Sequence, residues 1–549
     1  MARLNAYTRS ADFWLLAAAG AAAGMCFWPG NYGWMFWFVF VPFFWLILKG
    51  DWKKAFFQGW IFGGFFWIAG LHWLAAPLSR FLGIPFAPAM LPFLAVCAWH
   101  GLMFALLACT ANILSLHLSK RLDLSRETAL LCTAAPVMTT IEHFFPAIFP
   151  IHFANTQFFH LPQVQILDFL GPDALTWLIM GFNAAAYMLL KPLLRRWRIN
   201  SAWKLGIPRY PAAVFTAFCA LVLLNEWYGV SRIKWVDSLI GRPAGNSPVV
   251  KVSLIQGAML PGEPETLAVY RRLTAEAIKK NSPDLVVWPE SVYDRVAGYE
   301  IVKSSSGTEP VFMPEFERML MADVPFRTNI LMGAEGSPAN SGGGQAPGGG
   351  IRRNIAFVTG PAGKLLGLVE KRRLFPFGEY LPLAEDFPVL RKVFPYADNI
   401  SAGAAARPIS FSGIRAGVLI CYEDIHTGIA GKFVREGANV LFNLTNEARF
   451  GRGMEPRQHL ELSALRAIET RRFLLRAVNT GMSAVIDPAG RILSRLGPEE
   501  QGVLTSDVRL LDCESFYTRH GGLSQYSGIL FLSVLLLLSA ACPAPWREP

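Results

Sequence analysis

Ala416-Gly417-Val418-Leu419-Ile420-Cys421-Tyr422-Glu423-Asp424 is the stretch that decides how the polar half of this chain is read. The apolar run ending at Ile420 has the pattern of a buried strand, and Tyr422, Glu423 and Asp424 suit the first turn of a helix. A cysteine between them stands at the carboxyl end of a strand, where open α/β sheets carry their active groups. A packed core thiol and a disulfide to Cys513 are the competing readings of Cys421.

Outward from Cys421, short apolar runs alternate with helical stretches. The runs are Val249–Ile255, Leu285–Trp288, Asn329–Met332, Ile355–Thr359, Leu365–Glu370, Gly417–Ile420, Val440–Leu444, Phe473–Ala477 and Ser483–Ile486; the helical stretches are Pro264–Lys280, Phe316–Ala322, Gly428–Glu436 and Arg457–Arg471. That alternation indicates a layered α/β domain over residues 230–520. Gly360-Pro-Ala-Gly-Lys364 and Asp487-Pro-Ala-Gly-Arg491 read as hairpin turns. The former lacks the spacing and the Ser or Thr of a phosphate-binding loop. The glycine-rich stretch 333–350 reads as a connecting loop.

The rest of the chain is different in kind. Of 549 residues, 53% are hydrophobic and only 17% charged, against about 25% charged in soluble domains, and the apolar residues crowd into 12–229 and 522–541. A membrane helix needs about 20 apolar residues, which predicts spans at 12–28, 32–48, 57–78, 90–116, 127–147, 164–190, 211–229 and 522–541. The fifth contains Pro136, Glu142, His143 and Pro146 and is expected to be broken or re-entrant.

Arg3 and Arg9, Lys49 to Lys54, Lys120 to Arg126, and Lys191 to Arg209 fall on alternate loops, whereas the intervening short loops offer only Arg80. The positive-inside rule then puts the N-terminus in the cytoplasm and residues 230–520 on the opposite face. A cleaved leader at the first segment is disfavoured, because the following helices need that segment to keep their orientation. The net charge of +11 therefore reflects topology signals and implies no nucleic-acid partner. The domains expected are a membrane part over 1–229, a globular part over 230–520, and a final helix with a short tail over 521–549.

Two further strand ends carry chemistry. Glu290 closes Leu-Val-Val-Trp-Pro-Glu and suits a general base; a capping or surface glutamate is the plainer reading. Lys371 closes Leu-Leu-Gly-Leu-Val-Glu and suits an oxyanion partner that keeps a neighbouring thiolate ionised; a solvated basic cluster is the alternative.

Taken in order, Trp-Pro-Glu290-Ser, Glu-Lys371-x-x-Leu-x-Pro-Phe-Gly-Glu379-Tyr-x-Pro and Ile-Cys421-Tyr-Glu-Asp resemble the Glu, Lys and Cys motifs of the nitrilase superfamily. With the apolar helices, and with Gly-Leu-His72-Trp73-Leu, Asn-Leu-Thr-Asn446, Arg-Gln458-His459-Leu and Leu-Leu-Arg476-Ala-Val-Asn479, the chain resembles the apolipoprotein N-acyltransferase family over nearly its whole length. The resemblance implies a multi-helix transmembrane bundle of about eight helices plus an extracytoplasmic α/β nitrilase-like domain, an α-β-β-α sandwich. It implies Glu290 as general base, Lys371 as stabiliser, Cys421 as nucleophile and Glu379 as a second essential carboxylate, with Tyr422, Glu423 and Asn446 supporting the pocket. It makes Cys513 an unpaired thiol.

The implied reaction moves an acyl chain from a phospholipid donor through a Cys421 thioester to a lipidated apolipoprotein acceptor. The implied setting is the bacterial inner membrane, multi-pass, with the catalytic domain periplasmic and the protein monomeric. No cofactor is required. No metal motif is read, since His143, His152 and His160 have no partners at fitting spacing. Three departures mark the chain: no tryptophan follows Gly257-Ala-Met-Leu-Pro, Glu447 and Arg449 replace an aspartate and a tryptophan, and Arg373 replaces a histidine. A membrane-bound amidase, an N-acyltransferase with another amine acceptor and an inactive receptor are the alternatives.

Overall fold

Apolar composition and strand-length patterning sort this chain into two separate units. The computed structural model describes residues 10–197, 209–242, 247–260, 263–304, 307–339, 351–361, 363–394, 399–404 and 406–541. Residues up to Ser79, Ile84–Ile233 and those from His520 onward make a helical unit; Arg80–Gly83 and Lys234–Arg519 make an α/β unit. Arg3, Arg9, Arg198, Lys204 and most of the glycine-rich stretch lie outside the described residues.

In the helical unit, Ser10 caps Ala11–Met25 by accepting from the Phe13 N–H. Trp52–Gly70 packs against Phe86–Arg121 through small residues. A Cβ on Gly59 would lie 2.3 Å from the Phe104 carbonyl oxygen, so glycine is what permits this approach of the two backbones.

Of the eight expected spans, the described residues show some as long apolar helices and others as shorter or divided ones. Four helices are long and apolar enough to cross a membrane: Phe86–Arg121, Pro172–Pro192, Arg209–Ile240 and Ser524–Ala541. Trp52–Gly70 with His72–Leu82 makes a fifth if that pair, bent by 62°, is taken as one span. The first expected span is a helix of only 15 residues, Ala11–Met25. The second is divided into the 3-10 turn Tyr32–Trp37 and the short helix Phe40–Ile47. The fifth is an unbroken helix, Arg126–Phe144, that runs through Pro136 and keeps Glu142 buried. Composition registers apolar residues but not the breaks between them, which is why eight apolar stretches correspond to four or five helices of crossing length.

The α/β unit holds two sheets. One has the order β14-β1-β2-β5-β3-β4, with β6 on the other edge of β5 and β7 beyond it; the second runs β13-β12-β11-β10-β9-β8. The strands are β1 Val249–Gln256, β2 Leu285–Val287, β3 Tyr293–Ser304, β4 Gly307–Phe312, β5 Asn329–Pro338, β6 Arg353–Thr359, β7 Leu365–Glu370, β8 Ile409–Phe411, β9 Ile414–Ile420, β10 Val440–Thr445, β11 Leu474–Val478, β12 Ala484–Ile486, β13 Ile492–Arg495 and β14 Gly502–Arg509. The sheets face each other, β1 against β11 and β6 against β9. Helix Thr266–Asn281 packs on β1 and β14, and Glu455–Thr470 packs on β11 and β12. The result is a nitrilase-like helix–sheet–sheet–helix sandwich.

β9, β10 and β11 are mutually parallel, as are β1, β2 and β5. Their near-continuous apolar character is what burial on both faces requires. The two Pro-Ala-Gly turns join antiparallel pairs, β6 to β7 and β12 to β13. Strands β3, β4, β8 and β14 have no counterpart in the sequence reading, and β13 is implied there only by the hairpin turn before it. β3 and β13 leave hydrophobic side chains such as Val296 and Leu493 exposed, so no clean alternation marks them.

Candidate active site

Cys421 follows β9 with φ of +51°, a left-handed conformation that a residue with a Cβ adopts at a cost of about 1–3 kcal/mol. Hydrogen bonds on both sides hold it there. Asn443, on neighbouring β10, donates from Nδ2 to the Cys421 carbonyl at 3.0 Å. The Glu423 carboxylate turns back and accepts from the Ile420 N–H at 3.0 Å. Glu423 also accepts from the N–H groups of Arg372 and Arg373, at 2.9 and 3.2 Å. One buried carboxylate thus ties the Cys421 turn to the segment that follows Lys371.

Glu290 follows β2 through Trp288 and Pro289. Gly333 of β5 passes so close that a Cβ there would lie 2.8 Å from the Glu290 Cα. Lys371 follows β7, and its N–H donates to the Asn354 carbonyl on β6 at 2.8 Å. The Lys371 ammonium donates to Glu290 Oε1 at 3.1 Å and to Glu379 Oε1 at 2.8 Å, and is only 1% exposed. Glu379 is fixed in turn by the Phe375 N–H, which donates to its Oε2 at 2.8 Å.

The structure therefore gathers Glu290, Lys371, Glu379 and Cys421 at converging strand ends. Asn446 joins them through its backbone, its N–H donating to Glu290 Oε2 at 3.1 Å. Tyr422 stands to one side, its ring edge-on to Phe375 and His426. Asn354 was not anticipated: its Nδ2 donates to both Glu290 Oε1 at 2.7 Å and Glu379 Oε1 at 2.9 Å. Its only trace in the sequence is an asparagine at the start of a strand, too common a feature to single out.

Burial, and then the Glu290 carboxylate it hydrogen-bonds, raise the Cys421 thiol well above its ordinary value, while Lys371 pulls the other way. This corrects the expectation of a resting thiolate: Lys371 is present, but desolvation and two carboxylates outweigh it. Burial alone would lower the Lys371 ammonium, yet Glu290 and Glu379 raise it well above its usual value, so it stays charged. A protonated thiol on a carboxylate, beside a fixed cation, can pass its proton a short distance and hold negative charge afterwards.

Behind Cys421 lies a second buried cluster. His459 meets Asp424 at 2.6 Å through Nε2 and Glu447 at 2.8 Å through Nδ1. Arg476 donates to Asp424 at 2.6 Å, to Asn443 Oδ1 at 3.0 Å and to Glu447. The departures from the family pattern have places here. Glu447 keeps a carboxylate in this cluster, and the Arg449 guanidinium lies 4.9 Å over the Phe81 ring. Cys421 and Cys513 are both free thiols.

The carbon-nitrogen hydrolase family model matches residues 251–518, a range that takes in both sheets and Cys421. Residues 19–185 match the apolipoprotein N-acyltransferase N-terminal domain. The apolipoprotein N-acyltransferase of Geobacter metallireducens is 27% identical over 539 residues, covering 96% of this chain and 95% of that one. That of Chlorobaculum tepidum is 30% identical over 407 residues, covering 71% and 72%. Among solved structures, a nitrilase-superfamily protein of Saccharomyces cerevisiae aligns at 17% identity and a TM-score of 0.35, covering 50% of this chain and 94% of that one. The chain belongs to the apolipoprotein N-acyltransferase family, and it is an acyltransferase.

Proposed function

We propose that Cys421 is the nucleophile, Glu290 the general base and Lys371 the electrostatic stabiliser in transfer of a phospholipid acyl chain to the α-amine of a diacylglyceryl-cysteine. The protein acts in lipoprotein N-acylation, the last step of lipoprotein maturation. In the first half-reaction the Cys421 proton passes to Glu290 and the sulfur attacks the lipid ester carbonyl. The tetrahedral oxyanion is held by Lys371. As the carbon–oxygen bond breaks, Glu290 returns the proton to the departing lysophospholipid, leaving an acyl thioester. In the second half the amine attacks the thioester, Glu290 takes the amine's proton, and collapse forms the amide. The Cys421 sulfur leaves and regains its proton from Glu290.

The observation that carries this reading is the Lys371 ammonium, bonded to Glu290 and Glu379 beside a thiol that hydrogen-bonds Glu290. Glu379 fixes the lysine, Glu423 fixes the turn and Asn446 orients the base. A thioester accepts amines more readily than the lipid ester, which divides the transfer into two accessible steps. Donor and acceptor are both confined to a bilayer, which raises their effective concentration.

The protein is a bacterial membrane protein. The alternating loop charges support a multi-pass topology in the inner membrane with the catalytic domain, residues 230–520, facing the periplasm. Residues 1–229 and 521–549 are then the membrane part.

The purified full chain, given a phospholipid with an alkyne-tagged acyl chain, is expected to gain one acyl mass on the Cys421 peptide. Adding a diacylglyceryl-cysteine peptide should discharge that mass as N-acyl peptide. Cys421→Ala should give neither adduct nor product. Release of free fatty acid alone, with acceptor present, would overturn the transferase reading in favour of a hydrolase.

A further inference from the structure

The helical unit buries a group of metal-ligating side chains drawn from three segments. His143 ends helix Arg126–Phe144, His152 lies in the connection that follows, and Asp173 opens helix Pro172–Trp197. One ring nitrogen of each histidine and one Asp173 oxygen all lie within 4.8 Å of one another. His143 Nε2 is 2.8 Å from Asp173 Oδ1, and the two imidazole centroids are 5.2 Å apart. The other Asp173 oxygen, Oδ2, is buried and has no hydrogen-bond partner, on a residue only 3% exposed.

A fourth residue completes the arrangement. His152 Nδ1 faces Glu142 Oε2 at 3.3 Å. Glu142 is itself fixed by the Phe153 N–H at 2.9 Å and by the Thr176 hydroxyl, which reaches its two oxygens at 2.9 and 3.1 Å. A carboxylate locked in this way and set against one imidazole nitrogen is how proteins aim the other nitrogen at a metal. Two imidazole nitrogens and a carboxylate suit a zinc-like transition dication, whereas Mg2+ and Ca2+ favour oxygen ligands throughout.

We propose that His143, His152 and Asp173 form a binding site for a transition-metal dication of the Zn2+ type, with Glu142 orienting His152. Two carboxylates buried in an apolar bundle need compensating positive charge, and a dication between neutral imidazoles supplies it. Ligand bonds of about 2.0–2.2 Å put ligand atoms roughly 3.3 Å apart, so the His143–Asp173 contact opens by about half an ångström on binding. The metal would pin the connection between the two helices at both ends. Glu447, Glu455 and His459 also converge within 4.8 Å, but the Arg476 guanidinium already bonds Glu447 and sets a fixed positive charge where a dication would sit.

The test uses the full chain in detergent, purified without a histidine tag and stripped with chelator. Titration with Co2+ should produce visible d–d absorption that saturates near about one equivalent and is bleached by Zn2+. His143→Ala and Asp173→Asn should abolish that spectrum. Glu142→Gln should weaken binding about 10–100-fold, and His160→Ala should leave it unchanged. Absence of the d–d bands from the folded wild-type chain overturns the proposal without recourse to any variant. Bands that persist in both His143→Ala and Asp173→Asn overturn it as well.

Discussion

Two buried charge clusters lie on either side of the turn that follows β9, and they are built in opposite ways. In front, one ammonium, Lys371, serves the carboxylates Glu290 and Glu379, and the fourth member is a protonated thiol. Behind, His459 and Arg476 are laid across Asp424 and Glu447, with Ser463 closing on Asp424. In the proposed reaction Cys421 gives its proton to Glu290, which would leave the total charge of the front cluster unchanged and spare the site the desolvation cost of creating a new buried charge. The rear cluster has no such mobile proton between Asp424 and Arg476. Burial would raise Asp424, but His459 and Arg476 overcome it and hold the carboxyl below its usual range. On the proposed mechanism the first cluster moves a proton, and the other holds the turn on which the thiol stands.

The largest effects should therefore divide by kind. Glu290→Gln is expected to lower kcat about 10²–10⁴-fold while leaving the thermal unfolding midpoint nearly unchanged. Arg476→Met strands Asp424 and Glu447 and should cost about 3–5 kcal/mol of stability, read as a lower midpoint of the solubilised chain. If Glu290→Gln unfolds the protein, or Arg476→Met leaves its midpoint intact, the division fails. A smaller effect sharpens it. Asn354→Ala removes one amide that steadies both front carboxylates, and should reduce kcat/KM about tenfold, the equivalent of one charged hydrogen bond, without a comparable loss of stability.

How far the sequence revealed these clusters follows from how each is assembled. Glu290, Lys371 and Cys421 each follow a short apolar run, so their strand-end placement is legible in the sequence. Asn354 was not, because its place beside Lys371 is created by the antiparallel β6–β7 register, which sets Ile355 opposite Glu370. The rear cluster draws Asp424, Glu447, His459 and Arg476 from four separate elements, and each alone reads as an ordinary polar residue. His143, His152 and Asp173 are likewise brought together only by helix packing. The difference between eight apolar stretches and four or five helices of crossing length has a related origin: hydropathy does not register the break after Gly70 or the 3-10 turn at Tyr32–Trp37.

The last expected effect is a pH dependence confined to the rear cluster. Burial, and then Glu447, push the Glu455 carboxyl from 4.5 up to about 7. The folded chain thus holds a proton that the unfolded chain releases, and the stability this gives is lost as pH rises through that window. Burial and Arg476 lower His459, but Asp424 and Glu447 prevail and raise it well above 6.5. Its contribution is complete below 6.5 and likewise disappears as pH rises through its folded value. Asp424 acts in the opposite sense, its contribution fading as pH falls through its lowered value. Lys371 and Cys421 are both raised well above ordinary values of 10.5 and 9.0 and stay protonated throughout this range. Unfolding midpoints of the full chain should therefore fall between about pH 5 and about pH 8, by the equivalent of about 1–3 kcal/mol. Glu455→Gln should flatten the part of that decline below about pH 7. An equal decline in the variant would mean that the titrating group lies elsewhere, and the fixed-scaffold description of the rear cluster would then extend to Glu455 as well.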